Sequence, residues 1–344
     1  MNSLFPNSCL GEIVGVLTPS MQATTALVSQ RFASVARREL YREVELDESQ
    51  TQQFFSTLAS KAELGSLVHK IILAGSTYSC PQDVAEKAFR SLVNLWSLQI
   101  FHPVDFLPLP HFPGRLRDFL YAPEADEKVM DFLDSQPSIE SIFFGDLGLL
   151  RSDSSFLPHL TAVSAPPDDL MVLVPSRPVK DVAFIYHHGD EALRPVVSLE
   201  FLSSSLVPVV AVELQISQLL AAADQTPGLD SLLPAVKQLV IYQDSTWGSA
   251  FTPGDGFGQS VNQMIQCINT LPTLRHVVVG STYGTTQAQL IRRKFVHRCS
   301  VDLNYLVIGT ADSILYWGGL STRAKFLSQP LDAASIRHVN SLDY

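Results

Sequence analysis

Four stretches of the chain carry one arrangement of apolar and polar positions: a proline, a spacer, an aliphatic residue, two spacers and a second aliphatic residue. They are "LPHLTAV" (157–163), "LPAVKQLVI" (233–241), "LPTLRHVVV" (271–279) and "QPSIESIFF" (136–144). Looser copies are "SLVHKIIL" (66–73), "LVNLWSLQI" (92–100), "GRLRDFLY" (114–121), "RPVKDVAF" (177–184) and "DLNYLVI" (302–308). The first aliphatic positions are Val68, Leu95, Leu116, Ile139, Leu160, Val179, Val236, Leu274 and Leu303, mostly some 20 to 30 residues apart, the period of leucine-rich repeats. One wider gap predicts a further unit near Val209–Leu214. Between these stretches lie segments such as "EKVMDFLDSQ" and "SVNQMIQCINT", whose apolar residues recur at three and four and predict helices. Strand, turn and helix in repetition make an α/β fold, with a parallel sheet curving into an irregular leucine-rich-repeat solenoid. An ordinary parallel α/β fold is the other solution for alternating strands and helices.

Alternation along each strand assigns faces. The last spacer of the template points away from the helix-covered core, and it is occupied by Ile72, Leu120, Phe143, Val240, Val278 and Val307, with Gln99 breaking the run. So apolar a row predicts either an exposed groove that holds a protein substrate or a cover. The tail with Phe326, Leu327, Leu331 and Ile336 is the intramolecular candidate for the cover, and the exposed groove is the preferred expectation. Two strands leave through the same "GSTY", after Ala74 and after Val279, and Gly75 and Gly280 are expected to supply a permissive turn backbone.

Residues 1–46 lack the repeat and predict two or three short helices. Leu10, Ile13, Val14 and Leu17 share one face of the first, and Thr18-Pro19 is a stop signal. A second helix is expected to carry Ala26, Leu27 and Phe32, and a third to end near Leu40-Tyr41. Phe5-Pro6 ahead of a helix with aliphatic pairs, then Val28-Ser29, two residues and Phe32, then "ARRELYREVEL" leading into a strand, resembles an F-box followed by leucine-rich repeats, as in fungal F-box-like proteins. Ser8, Cys9 and Met21-Gln22-Ala23 depart from that pattern, where an acidic residue, Leu and Asp-Leu-Leu are usual. The resemblance implies docking on the Skp-family adaptor of a cullin–RING (SCF-type) ubiquitin ligase, and through it on the cullin. Its implied contacts are Phe5, Pro6, Leu10, Ile13, Val14, Leu17, Leu27, Val28 and Phe32. A capping unit for the solenoid would account for the same helices, because a terminal repeat must close its core.

Composition narrows the function. With 344 residues, 46% of them hydrophobic and 17% charged, the chain can bury a large core. A net charge of -10 argues against binding nucleic acid by phosphate neutralisation. The N-terminal "MNSLFPNSCLGEIVGVL" lacks a basic leader and places Glu12 in its apolar stretch, so secretion is not expected. Glu213, Gln215 and Gln218 interrupt the most apolar internal stretch, which falls short of the roughly 20 apolar residues of a membrane span. Four scattered cysteines, Cys9, Cys80, Cys267 and Cys299, suit reduced thiols in a cytoplasmic or nuclear setting.

Enzymatic signatures are weak. "GSTYG" (280–284) does not place its serine as a nucleophile elbow does. "GDGFGQ" (254–259) lacks the Lys-Ser/Thr of a phosphate loop and reads as a surface loop. His187-His188 has no Cys or second His at ligand spacing. Arg31, Arg37, Arg38 and Arg42 read as a solvated helix face, as do Arg292, Arg293, Lys294, His297 and Arg298. The expectation is a non-enzymatic protein without metal or cofactor: an F-box-like module at 1–46, a solenoid at 47–325 and a tail at 326–344. A leucine-rich-repeat interaction scaffold without a ligase link is the alternative, and an α/β enzyme the third reading.

Overall fold

The computed structural model describes residues 7–75, 80–105, 112–146, 155–185, 197–224, 228–242, 255–280, 285–309, 314–318 and 328–329. The chain divides into two compact units, Met1–Leu160 and Thr161–Tyr344. Each is an α/β unit whose parallel strands lie in chain order, the topology of a leucine-rich-repeat-type solenoid.

The first unit opens with three helices, α1 (Asn7–Gly15), α2 (Pro19–Thr25) and α3 (Gln30–Arg42). Thr18 caps α2 and Pro19 takes its first turn, so the pair predicted to stop one helix also starts the next. Ser29 caps α3 through the Phe32 amide. Ala26 and Leu27 therefore lie in a turn after α2, and Phe32 belongs to the third helix instead of the second. Gln22 is buried and its amide donates to the carbonyls of Val14 and Leu17, satisfying groups left open at the end of α1.

Helix α3 runs into β1 (Glu43–Leu46), and α4 (Glu48–Ser60) follows behind an Asp47–Gln50 capping box. Hydrogen bonds from Ser49 and the Gln50 amide hold the Asp47 carboxyl below its usual pKa. Then come α5 (Ala62–Gly65), β2 (Lys70–Leu73), α6 (Gln82–Ser91), β3 (Ser97–Ile100), β4 (Asp118–Glu124), α7 (Glu127–Asp134) and β5 (Ser141–Asp146). Each strand pairs in parallel with the next, and the register aligns Glu45, Ile72, Gln99, Leu120 and Phe143 in one row. The alternate positions, among them Ile71, Leu98, Phe119 and Ile142, are buried. Against them packs an aromatic chain in which Phe55 lies 5.3 Å from Phe89, and Phe132 lies 5.8 Å from Phe119.

The second unit holds β6 (Ala162–Ala165), α8 (Pro167–Leu173), β7 (Asp181–Phe184), a 3-10 turn (Leu199–Ser204), β8 (Ala211–Gln215), α9 (Ile216–Ala223), α10 (Leu229–Leu232) and β9 (Gln238–Tyr242). It continues through α11 (Asp255–Asn269), β10 (His276–Gly280), α12 (Thr285–Arg298) and β11 (Tyr305–Gly309). Strands β6 to β11 are parallel neighbours in chain order. The antiparallel strands β12 (Ile314–Gly318) and β13 (Ser328–Gln329) follow, without the repeat spacing that marks the others. Strand β8 is the unit predicted in the gap near Val209–Leu214.

Every lead aliphatic residue is buried, Val209 included. Two lead-in spacers have a second role: the Ser138 hydroxyl donates to the Leu116 carbonyl at 2.9 Å and Thr273 to Val236 at 2.8 Å. Ser205, in the turn before β8, reaches the Val179 carbonyl in the same way. Arg177, in the turn before β7, is almost fully buried, and its guanidinium donates to the carbonyls of Val172, Leu173 and Pro175 at the end of α8.

Three expectations need correction. A Cβ on Gly75 would stand 2.6 Å from the Glu48 nitrogen, and one on Gly280 would stand 2.8 Å from the Tyr242 ring, so close packing at the strand ends requires glycine there. The remainder of both "GSTY" turns lies outside the described residues. Asp255–Gln259 of "GDGFGQ" starts α11 and is no loop. The basic run on α12 is not purely solvated: the Lys294 ammonium donates to the Gly258 carbonyl and to Asn262 of α11, and burial with the Arg298 charge lowers its pKa.

Candidate binding surfaces

Two surfaces are built from the predicted site residues and their neighbours. The first is on the helices of the N-terminal module. Leu10 and Val14, one turn apart on α1, are buried inside the module; Leu17 and Phe32 are half-buried. Ile13 (54% exposed), Leu27 (87%) and Val28 (69%) face solvent. Phe5 and Pro6 lie outside the described residues. Val16 and Met21 were not singled out from the sequence, yet both are exposed on the same module. Scattered apolar residues on a surface are ordinary; five from α1, α2 and the turns that follow them concentrate apolar surface on one small module. Arg37, Arg38 and Arg42 are exposed, and Arg42 lies 3.8 Å from Glu39 of its own helix, as on a solvated face.

The second surface is the open face of the sheet, opposite the helices. In the first unit the predicted row runs Ile72, Gln99, Leu120, Phe143, with Leu120 buried and Ile72 and Phe143 half-buried. Beside it Ser97 donates to Asp118 at 2.5 Å and Gln99 donates to the same oxygen at 3.3 Å, so the polar groups there are paired internally.

In the second unit the same row runs Ser164, Ala183, Glu213, Val240, Val278, Val307. The three valines are only 3–7% exposed and form one cluster, with Tyr242 and Tyr305 packed against it from the same face. This corrects the expected exposed groove: the apolar part of the row is sunk between tyrosines. His276 stacks on Tyr305 at 4.0 Å with nearly parallel rings, and burial lowers its pKa.

Accessible space opens where the row is small and polar. A depression of about 230 Å³ lies over β6–β9, lined by Ala162, Ser164, Asp181, Ala183, Glu213 and Val240, among others. Asp181 pairs in register with Ala211, and Ala183 with Glu213, so the two acids are diagonal neighbours on adjacent strands. Strands about 4.8 Å apart and a rise of about 3.3 Å per residue place their Cα atoms about 8 Å apart. Asp181 is exposed on the rim of the depression, and partial desolvation of its carboxyl raises its pKa, opposed by Lys180. A search of the sequence for apolar residues passes over these positions. Their signal was positional: Ser164, Ala183 and Glu213 fill the template place that holds valine in the copies at 233–241 and 271–279.

Among the described residues no group of three or more His, Cys, Asp or Glu side chains could hold a metal ion, and no helix is long and apolar enough to cross a membrane. His187-His188 lies outside the described residues.

No protein-family model matches the chain, and no curated protein is significantly similar to it. A solved structure with a similar arrangement is the TLR13–ssRNA13 complex, at 14% identity and a TM-score of 0.34, covering 74% of this chain. The chain spans only 39% of that protein's length, and a likeness of this size says nothing about a ligand.

Proposed function

We propose that the chain is a non-catalytic substrate-recognition protein of F-box type. Its N-terminal helices would dock on a Skp-family adaptor, and hence on the cullin of an SCF-type ubiquitin ligase, and its repeats would bind a protein substrate. The observation that supports this is the exposure of Ile13, Val16, Met21, Leu27 and Val28 around a module that already buries Leu10, Val14 and Gln22 as its own core. A module that only capped the solenoid would gain nothing from apolar side chains on its outer surface, because exposing them to water is unfavourable. Helical modules of this kind bind partners by laying apolar ridges into a groove.

The departures from the F-box pattern have a partial structural account. Gln22, where Leu is typical, holds the end of α1 through two hydrogen bonds. The module thus keeps its helix packing with a changed set of residues. Co-expression of the full chain with a Skp-family adaptor, followed by affinity capture and size-exclusion chromatography, tests the proposal. A stoichiometric complex is expected, and well-folded full-length protein that elutes alone would overturn it. The open face in the second unit supports a repeat-protein interaction scaffold in either outcome.

A further inference from the structure

We propose that the depression over β6–β9 is the seat of a cationic side chain, arginine or lysine, presented by an extended segment of a protein partner. This inference names the chemistry of the substrate-binding face; it rests on the repeats being a recognition surface and not on the adaptor contact.

The floor of the depression is made by Ala162, Ser164, Ala183 and Ala211, the smallest side chains along the open face of these strands. Small residues on three consecutive strands leave a hollow that larger ones, such as the valines and tyrosines of β9–β11, fill for themselves. Val240 stands at one side of the hollow and supplies an apolar wall. Asp181 and Glu213 supply the charge. The Asp181 carboxyl has no hydrogen-bond or ion-pair partner among the described residues; the residue is exposed, and the strands around it desolvate the carboxyl enough to raise its pKa. The first unit handles a comparable acid differently, since Asp118 accepts from both Ser97 and Gln99. At Asp181 the place that those donors occupy is left to an incoming group.

A long cationic side chain fits both features. Its methylene stem covers apolar surface while its charged head stays at the polar end. An arginine fork offers five donors, enough to address two carboxyl groups about 8 Å apart at their Cα atoms, with charge-assisted hydrogen bonds. The chain's net charge of -10 favours the approach of a cationic segment and disfavours a nucleic acid, whose phosphates would meet Asp181 and Glu213.

The test uses the full chain and a phage-displayed library of random dodecapeptides, with selected sequences resynthesised for affinity measurement. Selected peptides should be enriched in Arg or Lys, and replacing the key arginine by citrulline or the key lysine by acetyl-lysine should weaken binding at least tenfold. Asp181→Asn and Glu213→Gln should each weaken it about tenfold without lowering thermal stability, and raising NaCl from 50 to 500 mM should weaken it further. Ala183→Leu, which fills the hollow and leaves both acids in place, should also abolish binding. Ile13→Asp, in the N-terminal module, should leave peptide affinity unchanged, so a failure of the adaptor contact and a failure of this site are read separately. Selection of no peptide, of peptides without basic enrichment, or of peptides whose affinity survives the Asp181→Asn/Glu213→Gln double variant would overturn the proposal.

Discussion

The Thr273 hydroxyl donates to the carbonyl of Val236, 37 residues earlier in the chain, at 2.8 Å. Thr273 is the spacer between the lead-in proline and the lead aliphatic residue of its repeat, and Val236 is the lead aliphatic residue of the repeat before. The bond therefore ties one repeat to the next where the strand begins. Thr273→Val keeps the shape and removes the donor; it should cost about 1 kcal/mol, or roughly 2–4 °C in the unfolding midpoint of a unit this size. Thermal unfolding of the two proteins checks it, and Thr273→Ser, which keeps the hydroxyl, should lose less.

Leu10 and Ile13 are three residues apart on α1 and divide core from surface. Leu10→Asp puts a charge where no partner can reach it, and should unfold the module and make the protein aggregate. Ile13→Asp should leave the unfolding midpoint within about 1 °C, as exposed substitutions generally do, and abolish capture of a Skp-family adaptor. Differential scanning fluorimetry with adaptor pull-down separates the two effects. Full adaptor affinity in the Ile13 variant would remove these helices as the docking face.

The lead residues Val68 to Leu303 were legible because each repeat needs one apolar side chain at a fixed place beneath the sheet, and that requirement leaves a spacing. The parallel register followed from the same spacing. Arg177 was not legible as a core residue: a charged side chain ahead of a strand reads as solvated, and it is the carbonyls at the end of α8 that make its burial possible. The limits of the second and third helices turned on one serine. Ser29 is an ordinary N-cap, and a single helix drawn through Ala26, Leu27 and Phe32 runs straight across it. The hollow was hidden for a further reason. Alanine at 162, 183 and 211 is the absence of a side chain, and an apolar template counts what is present.

The sunken row yields a measurement that reverses the sequence-based expectation. Val240 is 3% exposed and packs with Val278, Val307 and two tyrosines. Val240→Ser should cost about 2 kcal/mol, from lost burial and the residual cavity. A retained or improved midpoint would mean that the row is open to solvent.

Cys267, buried on α11, has its thiol pushed up to about 11 by burial. It should resist iodoacetamide at pH 8 in the native protein and react after unfolding, which peptide mass spectrometry reads directly. The sign of its effect on stability follows. Above the ordinary thiol pKa, near 9, the unfolded chain releases this proton while the folded chain keeps it, so stability falls as pH rises from about 9 to about 11. Cys267→Ala should reduce this alkaline loss, although it gives up some packing at neutral pH.

Asp181 should behave in the opposite way to an ordinary paired carboxylate. Its pKa is raised in the folded chain, chiefly because burial disfavours the charge. Between the unfolded pKa and the higher folded one, the native state holds more proton than the unfolded state, so folding weakens as pH rises through that window and stays weaker above it. Asp181→Asn removes the charge and should therefore raise the unfolding midpoint at pH 7, by a small amount because the residue is exposed and water screens its charge, with the difference from the unmodified protein vanishing in acid below both pKa values. A carboxylate that costs stability in the free protein is expected where a partner later supplies the missing cation. The variant should then be more stable than the unmodified protein and weaker at binding a cationic peptide. A pair of melting curves at pH 7 and pH 3.5, taken beside one binding isotherm, shows whether those two effects travel together; a midpoint lowered at pH 7 would mean that Asp181 is an ordinary stabilising acid of the sheet.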